Sequence, residues 1–433
     1  MRGRTNVPMR KAPTINGVKA NYYVDAGNTI QKGDFVSLKQ ISPTSENTFG
    51  DAVVYDSKVY DEQSGLFVFT ANSGNSLKLV LGGVEDTLVI YDSYAVGSYT
   101  SDNLQSDSQK KSKYCYFCIT SNKKVVCVVN STFYCFSVNT TTKKFVLDYE
   151  ETLATPSSFY YSTYGLNLRT ICEVASGKFI AIGMGFLTSG SSKLYFGFLD
   201  FDFDETLAFD YYATVTPQMM DKAPIQGYNG DVLGVVSTRK LNRYQIDFEN
   251  KTVTLKYSLS VSSSYNLLDY SVAFYDNYVV FGDTGYNFLL YRYDASDIVQ
   301  ISAVTAGTST RKAFFVSDTE LVAVGINTNS SQSMGVGTFV KYVKDFDGAS
   351  HESSVKVDSY ANADTYNIYG SKKGSKLVCG YKYFAILNVL NDELVLPLSE
   401  TVVTAYDGYG SIGFANTSGN AGDIIQVYVP PTT

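Results

Sequence analysis

One phrase recurs through the middle of this 433-residue chain, from about residue 51 to residue 395. A turn rich in Ser, Asp, Asn, Gly or Lys leads into a short apolar strand, and a more aromatic, alternating strand follows. Repeats of this kind, each holding several short strands, are typical of β-propeller blades. Seven apolar anchors, spaced by 43 to 59 residues, therefore predict about seven blades: Phe67, Val126, Ile180, Leu233, Val279, Val322 and Leu377.

Composition agrees with an all-β fold. The chain has 36 Tyr, 26 Phe and 34 Gly but no Trp, and aromatic residues suit pleated, half-buried surfaces. Within each blade, the apolar strand is expected to be inner and buried, and the aromatic strand is expected at the outer edge. A large sandwich or a β-helix built from similar hairpins is the alternative, and six or eight blades stay open because the copies drift.

The two ends of the chain differ in sequence from the repeats. Ala26–Leu38 reads AGNTIQKGDFVSL and Ser411–Pro430 reads SIGFANTSGNAGDIIQVYVP, and both contain the pattern A-G-[ND]-x-I. We expect these ends to pair into one small β-barrel interrupted by the propeller, because a long insertion adds little loop-closure entropy. The expected organisation is a basic arm at 1–14, a split β-module at 15–45 and 400–433, and the propeller at 46–399.

The terminal segments resemble those of virion proteins from tailed bacteriophages. The resemblance rests on AGxxIxKGDFV at Ala26–Val36 and on G-x-A-x-T-x-G-x-A-G-x-x-I-x-V-Y-V-P at Gly413–Pro430. In small capsid-decoration proteins, a similar sequence folds into a compact barrel that attaches to the particle. The residues that match this attachment pattern are Gly27, Ile30, Gly33, Asp34, Phe35, Val36, Gly413, Ala415, Gly419, Gly422, Ile425, Val427 and Tyr428.

The resemblance implies a virion structural protein that is made in the host cytoplasm. The chain would be a capsid decoration, head-fibre or tail-fibre subunit that displays its propeller, with host attachment as one role of that domain. Its implied partners are other virion proteins, copies of itself in an oligomer such as a trimer, and a host-surface glycan or protein.

Charge narrows the class of partner. The net charge of −7 and the isoelectric point near 5.0 argue against a general nucleic-acid binder. No apolar run approaches the ~20 residues that span a bilayer, so we expect no membrane partner. One basic cluster stands at the start of the chain and is either a solvated terminus or an arm that contacts an acidic capsid subunit: Arg2, Arg4, Arg10 and Lys11.

Catalytic motifs are weak, so we predict a non-enzyme without cofactor or metal. The single histidine, His351, is expected in an exposed loop, and the cysteines are expected to be buried thiols, with Cys115 and Cys118 on opposite strand faces. The acidic stretch Asp200–Glu205 is expected on the solvated face of an edge strand, with cation binding left open. The alternative function is a propeller-fold glycan hydrolase or lyase that uses this stretch or carboxylates of the central channel.

Overall fold

The computed structural model describes part of the chain in detail, and all its regular elements there are β-strands. The described residues are 18–24, 29–41, 44–46, 53–73, 76–85, 87–98, 115–154, 167–186, 192–203, 206–213, 223–236, 240–260, 267–283, 287–294, 297–305, 309–327, 337–348, 350–358, 369–380, 383–395, 400–405, 411–420 and 423–429. Clustering of contacts divides the chain into a terminal unit, 1–43 with 397–433, and a central unit, 44–396.

Four strands precede the repeats: β1 (Val18–Tyr23), β2 (Thr29–Ile30), β3 (Phe35–Ile41) and β4 (Thr44–Glu46). Blades 1 to 4 are formed by β5 (Val53–Asp61), β6 (Leu66–Ser73), β7 (Ser76–Val84), β8 (Leu88–Ser98); β9 (Phe117–Ile119), β10 (Val125–Val129), β11 (Thr132–Asn139), β12 (Lys144–Thr152); β13 (Asn167–Ala175), β14 (Lys178–Phe186), β15 (Ser192–Phe201), β16 (Leu207–Ala213); and β17 (Ile225–Tyr228), β18 (Asp231–Val236), β19 (Lys240–Asp247), β20 (Thr252–Ser260).

Blades 5 to 7 are formed by β21 (Leu267–Tyr275), β22 (Tyr278–Asp283), β23 (Asn287–Tyr293), β24 (Ile298–Thr305); β25 (Ser309–Phe315), β26 (Glu320–Asn327), β27 (Gly337–Lys344), β28 (His351–Asp358); and β29 (Tyr369–Lys373), β30 (Lys376–Gly380), β31 (Tyr383–Leu390), β32 (Glu393–Val395). The chain ends with β33 (Glu400–Ala405), β34 (Ser411–Ala415), β35 (Gly419–Asn420) and β36 (Ile424–Val429).

The central unit is a seven-bladed β-propeller, which confirms the fold predicted from the repeat. Each blade is an antiparallel sheet whose strands are hydrogen-bonded in chain order. Contacts between the first strands of successive blades, such as β9 with β13 and β13 with β17, place those strands nearest the axis. The fourth strands β12 and β20 expose most of their side chains, as expected of an outer edge.

The seven sequence anchors fall one to a blade, always in the second strand, and all are fully buried. The predicted position of the aromatic strand was wrong. Strands such as β15, β19 and β23 are third in their sheets, and a fourth strand lies outside each of them. The fourth strands escaped notice because exposed strands such as β20 (TVTLKYSLS) need few apolar residues.

Seven apolar clusters hold the ring together, and each joins one pair of adjacent blades. The cluster between blades 7 and 1 closes the circle. In it, the ring of Tyr369 stacks on Phe69 of blade 1, with ring centroids 4.4 Å apart and planes 14° from parallel. Such offset aromatic pairs add about 0.5–1.5 kcal/mol to the burial of their area.

The outer position of blade 7 is shared by both ends of the central unit. The incoming strand β4 pairs with one end of β31, where Thr44 faces Ala385. The outgoing strand β32 pairs with the other end, where Val395 faces Asn388. Two chain segments therefore complete a single sheet, and this pairing places residues 44–46 in the propeller.

The terminal unit is a five-stranded sheet in the order β1-β36-β34-β3-β33, together with the short pair β2 and β35. Its edge strands β1 and β33 contact each other, so the sheet curls into a small barrel. Strands from both ends of the chain share the sheet: β1 pairs with β36, and β3 pairs with β33 and β34. Among the described side chains, the barrel core contains Val24, Ile30, Val36, Ala415, Ile425 and Val427. Among the described residues, no helix has the length and hydropathy that crossing a membrane requires.

Candidate functional site

Two tight turns organise the terminal barrel. In the first, the Gln31 N–H donates to Asp34 Oδ2 at 2.8 Å, and the Asp34 N–H donates to the Gln31 carbonyl at 3.0 Å. Gly33 has a φ of 96°, a backbone angle that glycine adopts without steric cost. In the second, the Asn420 N–H donates to Asp423 Oδ2 at 2.8 Å, and the Asp423 N–H donates to the Asn420 carbonyl at 2.9 Å.

These turns occupy equivalent places in two halves of the barrel. The strands that lead into them, β2 and β35, pair with each other. Each aspartate carbonyl accepts a hydrogen bond from the opposite half, Asp34 from Ala415 at 2.8 Å and Asp423 from Val24 at 2.9 Å. The two ends are therefore alike in structure, and the turn Gln31–Asp34 is equivalent to the turn Asn420–Asp423. The A-G pattern instead aligns Ala26 with Ala421, six residues away from this register.

The attachment-pattern residues divide into core and surface. The side chains of Ile30, Val36, Ala415, Ile425 and Val427 are buried in the barrel core. The backbones of Gly413 and Tyr428 lie in the sheet, where they pair with Val36 and Lys19. At Gly419, an added Cβ would lie 2.5 Å from Ile425 Cγ2, so close packing requires glycine there.

Two aromatic side chains lie on the outside of this barrel. Phe35 and Phe414 face each other on adjacent strands, and they are 61% and 39% exposed. Large aromatic side chains at a surface are typical anchors of protein interfaces. Six predicted residues lie outside the described part of the chain: Gly27, Gly422, Arg2, Arg4, Arg10 and Lys11.

A second candidate site is a cavity of about 560 Å³ at one mouth of the propeller. Its wall comes from the turns between first and second strands in blades 1, 2, 5, 6 and 7. The lining residues are Val59, Tyr60, Asp61, Glu62, Gln63, Lys123, Tyr275, Val316, Ser317, Glu320, Lys372 and Gly374. Sequence analysis missed this site because each turn contributes only one to five residues, and nothing in the repeat links them.

Hydrogen bonds between blades shape the cavity. The Tyr275 hydroxyl of blade 5 donates to Glu62 of blade 1, and this bond raises the pKa of Tyr275 in addition to the larger effect of burial. The Tyr60 hydroxyl of blade 1 donates to the Lys123 carbonyl of blade 2 at 3.0 Å. Glu320 of blade 6 accepts from Lys372 Nζ of blade 7 at 2.8 Å.

Below this mouth, the first strands of blades 1 and 6 carry buried charges. Asp56 Oδ2 lies 3.0 Å from Lys58 Nζ, and Lys312 is 2% exposed. Burial lowers the pKa of Lys312 to about 8; Asp56 opposes this shift and Lys58 adds to it. A lysine in such a position is stabilised in its neutral form.

Replacing Lys312 with methionine is expected to stabilise the protein at pH 7 by about 3 kcal/mol at most. The folded pKa near 8 lies below the unfolded value of 10.5, so the unfolded chain binds more protons between these pH values. The loss of folding stability caused by Lys312 therefore has its full value below pH 8 and decreases as the pH rises to about 10.5. Denaturant unfolding at several pH values should show that K312M loses this rise in stability. The exposed control K144M should differ from the parent by less than about 0.5 kcal/mol.

The histidine lies elsewhere than predicted. His351 is the first residue of β28, not part of a loop, and its Nε2 lies 3.2 Å from Glu393 Oε1 on β32. The alternating pattern HESSVKVD is what forms this strand, and the polar residues just before it obscured its start. In the acidic stretch, Asp200 pairs with Lys178 at 2.7 Å, and Asp202 accepts from Thr206 within its own turn. Asp204 and Glu205 lie outside the described residues.

All six cysteines are buried free thiols, as predicted. Cys115 and Cys118 belong to different interfaces of blade 2, toward blades 1 and 3, which confirms their opposite orientations. Burial raises the pKa of Cys135 to about 12, so this thiol is a poor nucleophile or metal ligand.

Comparison with known proteins gives little beyond the fold. No protein-family model matches the sequence, and no curated protein matches it significantly. Among solved structures, the chain is similar to the β-propeller domain of Cps50 (Swd1) from Myceliophteria thermophila. The two share 9% identity with a TM-score of 0.46, over 82% of this chain and 100% of that one. At such values the likeness carries no functional argument, and the sheets and clusters described above define the propeller.

Proposed function

We propose that this chain is a structural subunit of a tailed-bacteriophage virion, with the terminal barrel as its attachment module and the propeller as the displayed domain. The observation that carries the proposal is the barrel itself, in which β1 and β3 pair with β36 and β34 from the other end of the chain. This barrel is built from the segments that resemble phage attachment modules. The subunit would be a capsid decoration, head-fibre or tail-fibre protein, made in the host cytoplasm and assembled as an oligomer such as a trimer.

The aromatic pair on the barrel is the best candidate for the contact with the particle. Phe35 and Phe414 expose large apolar surfaces on neighbouring strands. Burying such side chains against a partner supplies most of the energy of a typical interface. The partner would be a capsid or tail subunit, and the displayed propeller would contact a host-surface glycan or protein.

Association with particles tests this proposal. The purified chain should co-sediment with phage particles that lack it, and the double variant F35D/F414D should bind at least about tenfold more weakly, because both anchors are lost. Facing aspartates repel each other, so the uncharged variant F35T/F414T is measured alongside; it should bind equally weakly and melt close to the parent, since both positions are exposed. The control L255D alters a propeller side chain that is 52% exposed and should bind normally. A parent chain that stays monomeric and binds no particle would contradict the proposal.

Hydrolysis or elimination on a glycan is the second candidate function, because three carboxylates line the mouth cavity. All three already have structural partners, since Glu62 accepts from the Tyr275 hydroxyl. Glu320 is held by Lys372, and Asp61 Oδ2 accepts from the Ser64 N–H at 3.3 Å. This engagement supports recognition over acid–base catalysis. Release of reducing ends or unsaturated products from a host-surface polysaccharide would favour the enzyme instead.

A further inference from the structure

The mouth cavity has hydrogen-bonding groups of both kinds within one small space. Glu62 and Asp61 provide carboxylate acceptors, and Lys123 provides an exposed ammonium donor. Gln63 and Ser317 provide groups that both donate and accept. At about 560 Å³, the cavity has the size usual for small-ligand sites, which measure about 300–1,000 Å³.

The charges in this cavity disfavour an anionic ligand. Three carboxylates and two ammonium groups line it, and Lys372 is already paired with Glu320. The remaining charges are those of Asp61, Glu62 and Lys123, so the two carboxylates repel an anionic ligand, whereas a cationic ligand satisfies them but offers no acceptor to Lys123. Hydroxyl groups donate to carboxylates and also accept from ammonium groups, so an uncharged polyol satisfies both sets.

Aromatic surface completes the site. Tyr275 lines the cavity, its hydroxyl is bonded to Glu62 across the mouth, and its ring packs beside Phe315. Tyrosine combines a flat apolar face with a polar tip, which matches a sugar ring whose edges are polar and whose faces are apolar. The bond between Tyr275 and Glu62 also holds together two blades that are not neighbours in the ring.

We propose that the propeller mouth binds a single sugar unit of an uncharged glycan. This inference rests on the proposed display function, and it names the chemical class of the ligand and the place on the propeller where the ligand binds. Glu62 and Asp61 accept hydrogen bonds from sugar hydroxyls, Lys123 donates to a hydroxyl or ring oxygen, and the sugar packs against Tyr275.

The test is saturation-transfer NMR on the full-length chain with free glucose, galactose, N-acetylglucosamine and glucuronate. At least one uncharged sugar should show transfer at millimolar concentration, and glucuronate should bind more weakly. K123Q should weaken that binding about tenfold, the effect of losing one hydrogen bond to a charged group. S317W should abolish it, because the indole fills the cavity from the blade 6 turn.

The matched control is K251Q in blade 4. Lys251 and Lys123 both occupy turns with positive φ, 53° and 62°, so the two substitutions disturb the backbone alike. K251Q should bind sugar like the parent, and all variants should melt like the parent. The proposal is overturned if no uncharged sugar binds, if S317W binds as well as the parent, or if glucuronate binds best. Because the assay uses free protein, its failure leaves the particle-association experiment untouched.

Discussion

Replacing Ile425 with aspartate is expected to unfold the terminal barrel while the propeller stays folded. Ile425 is fully buried in the barrel core, which has six members among the described side chains, and burying an unpaired carboxylate costs several kcal/mol. A unit of 80 residues, the sum of 43 and 37, rarely gains more than about 3–5 kcal/mol of stability from its core, so one such change removes it. The propeller has seven clusters of its own and contains no residue of this core.

Limited proteolysis with mass spectrometry measures this outcome. In I425D, cleavage should concentrate in the terminal segments and leave a resistant fragment close to residues 44–396. The control K32D changes an exposed turn residue of the same unit and should keep the parent pattern. If I425D also destroys the resistant propeller fragment, the two units do not fold independently. Loss of particle association in I425D would be a second consequence of the proposed attachment function.

The second large effect is expected from alanine at Gly227, in the first strand of blade 4. An added Cβ there would lie 1.8 Å from the Glu173 carbonyl oxygen and 2.6 Å from its carbonyl carbon, in the first strand of blade 3. Both are backbone atoms that no rotamer change can move. The two blades must therefore separate, which loosens the cluster around Ile225 and Cys172. We expect a loss of about 3 kcal/mol or more.

Denaturant unfolding of G227A measures this loss directly. The matched control is G348A, since a Cβ at Gly348 would meet its nearest atom, the Asp345 carbonyl oxygen, at an ordinary 3.7 Å. That variant should differ from the parent by less than about 0.5 kcal/mol. Equal stability of G227A and the parent would mean that the first strands of blades 3 and 4 do not approach this closely.

Much of the fold could be predicted because each blade repeats a local pattern. The anchors Phe67 and Val322 lie in different blades, yet the same alternation of turn and apolar strand marks both. The pairing of the chain ends could be predicted as well, since the pattern A-G-[ND]-x-I occurs near both ends, although its alignment differs from the register of the two turns. Local patterns of this kind determine which strands form and how they alternate.

Other features depend on contacts between distant residues, which one sequence does not reveal. The hydrogen bond from Tyr275 to Glu62 joins residues 213 apart, and neither turn is unusual by itself. The strand β4 is a three-residue segment, Thr-Ser-Glu, without an apolar signal, and it becomes a strand only because β31 offers a free edge. Tertiary pairing, not propensity, decides such segments.

The shared outer strand of blade 7 has a consequence for how the propeller could be exchanged between proteins. Along β31, only Ile386 and Leu387 separate the residues that face Val395 and Thr44, so the ends of the propeller lie about 10 Å apart. A two-residue link would turn β32 and β4 into one continuous strand. The ring of blades is therefore interrupted at a single place, where the chain enters and leaves the propeller. A different protein with a loop of that span could carry the propeller, and the terminal barrel could carry a different inserted domain. Recombination at these two crossings would replace the whole propeller in one step and leave the terminal barrel unchanged.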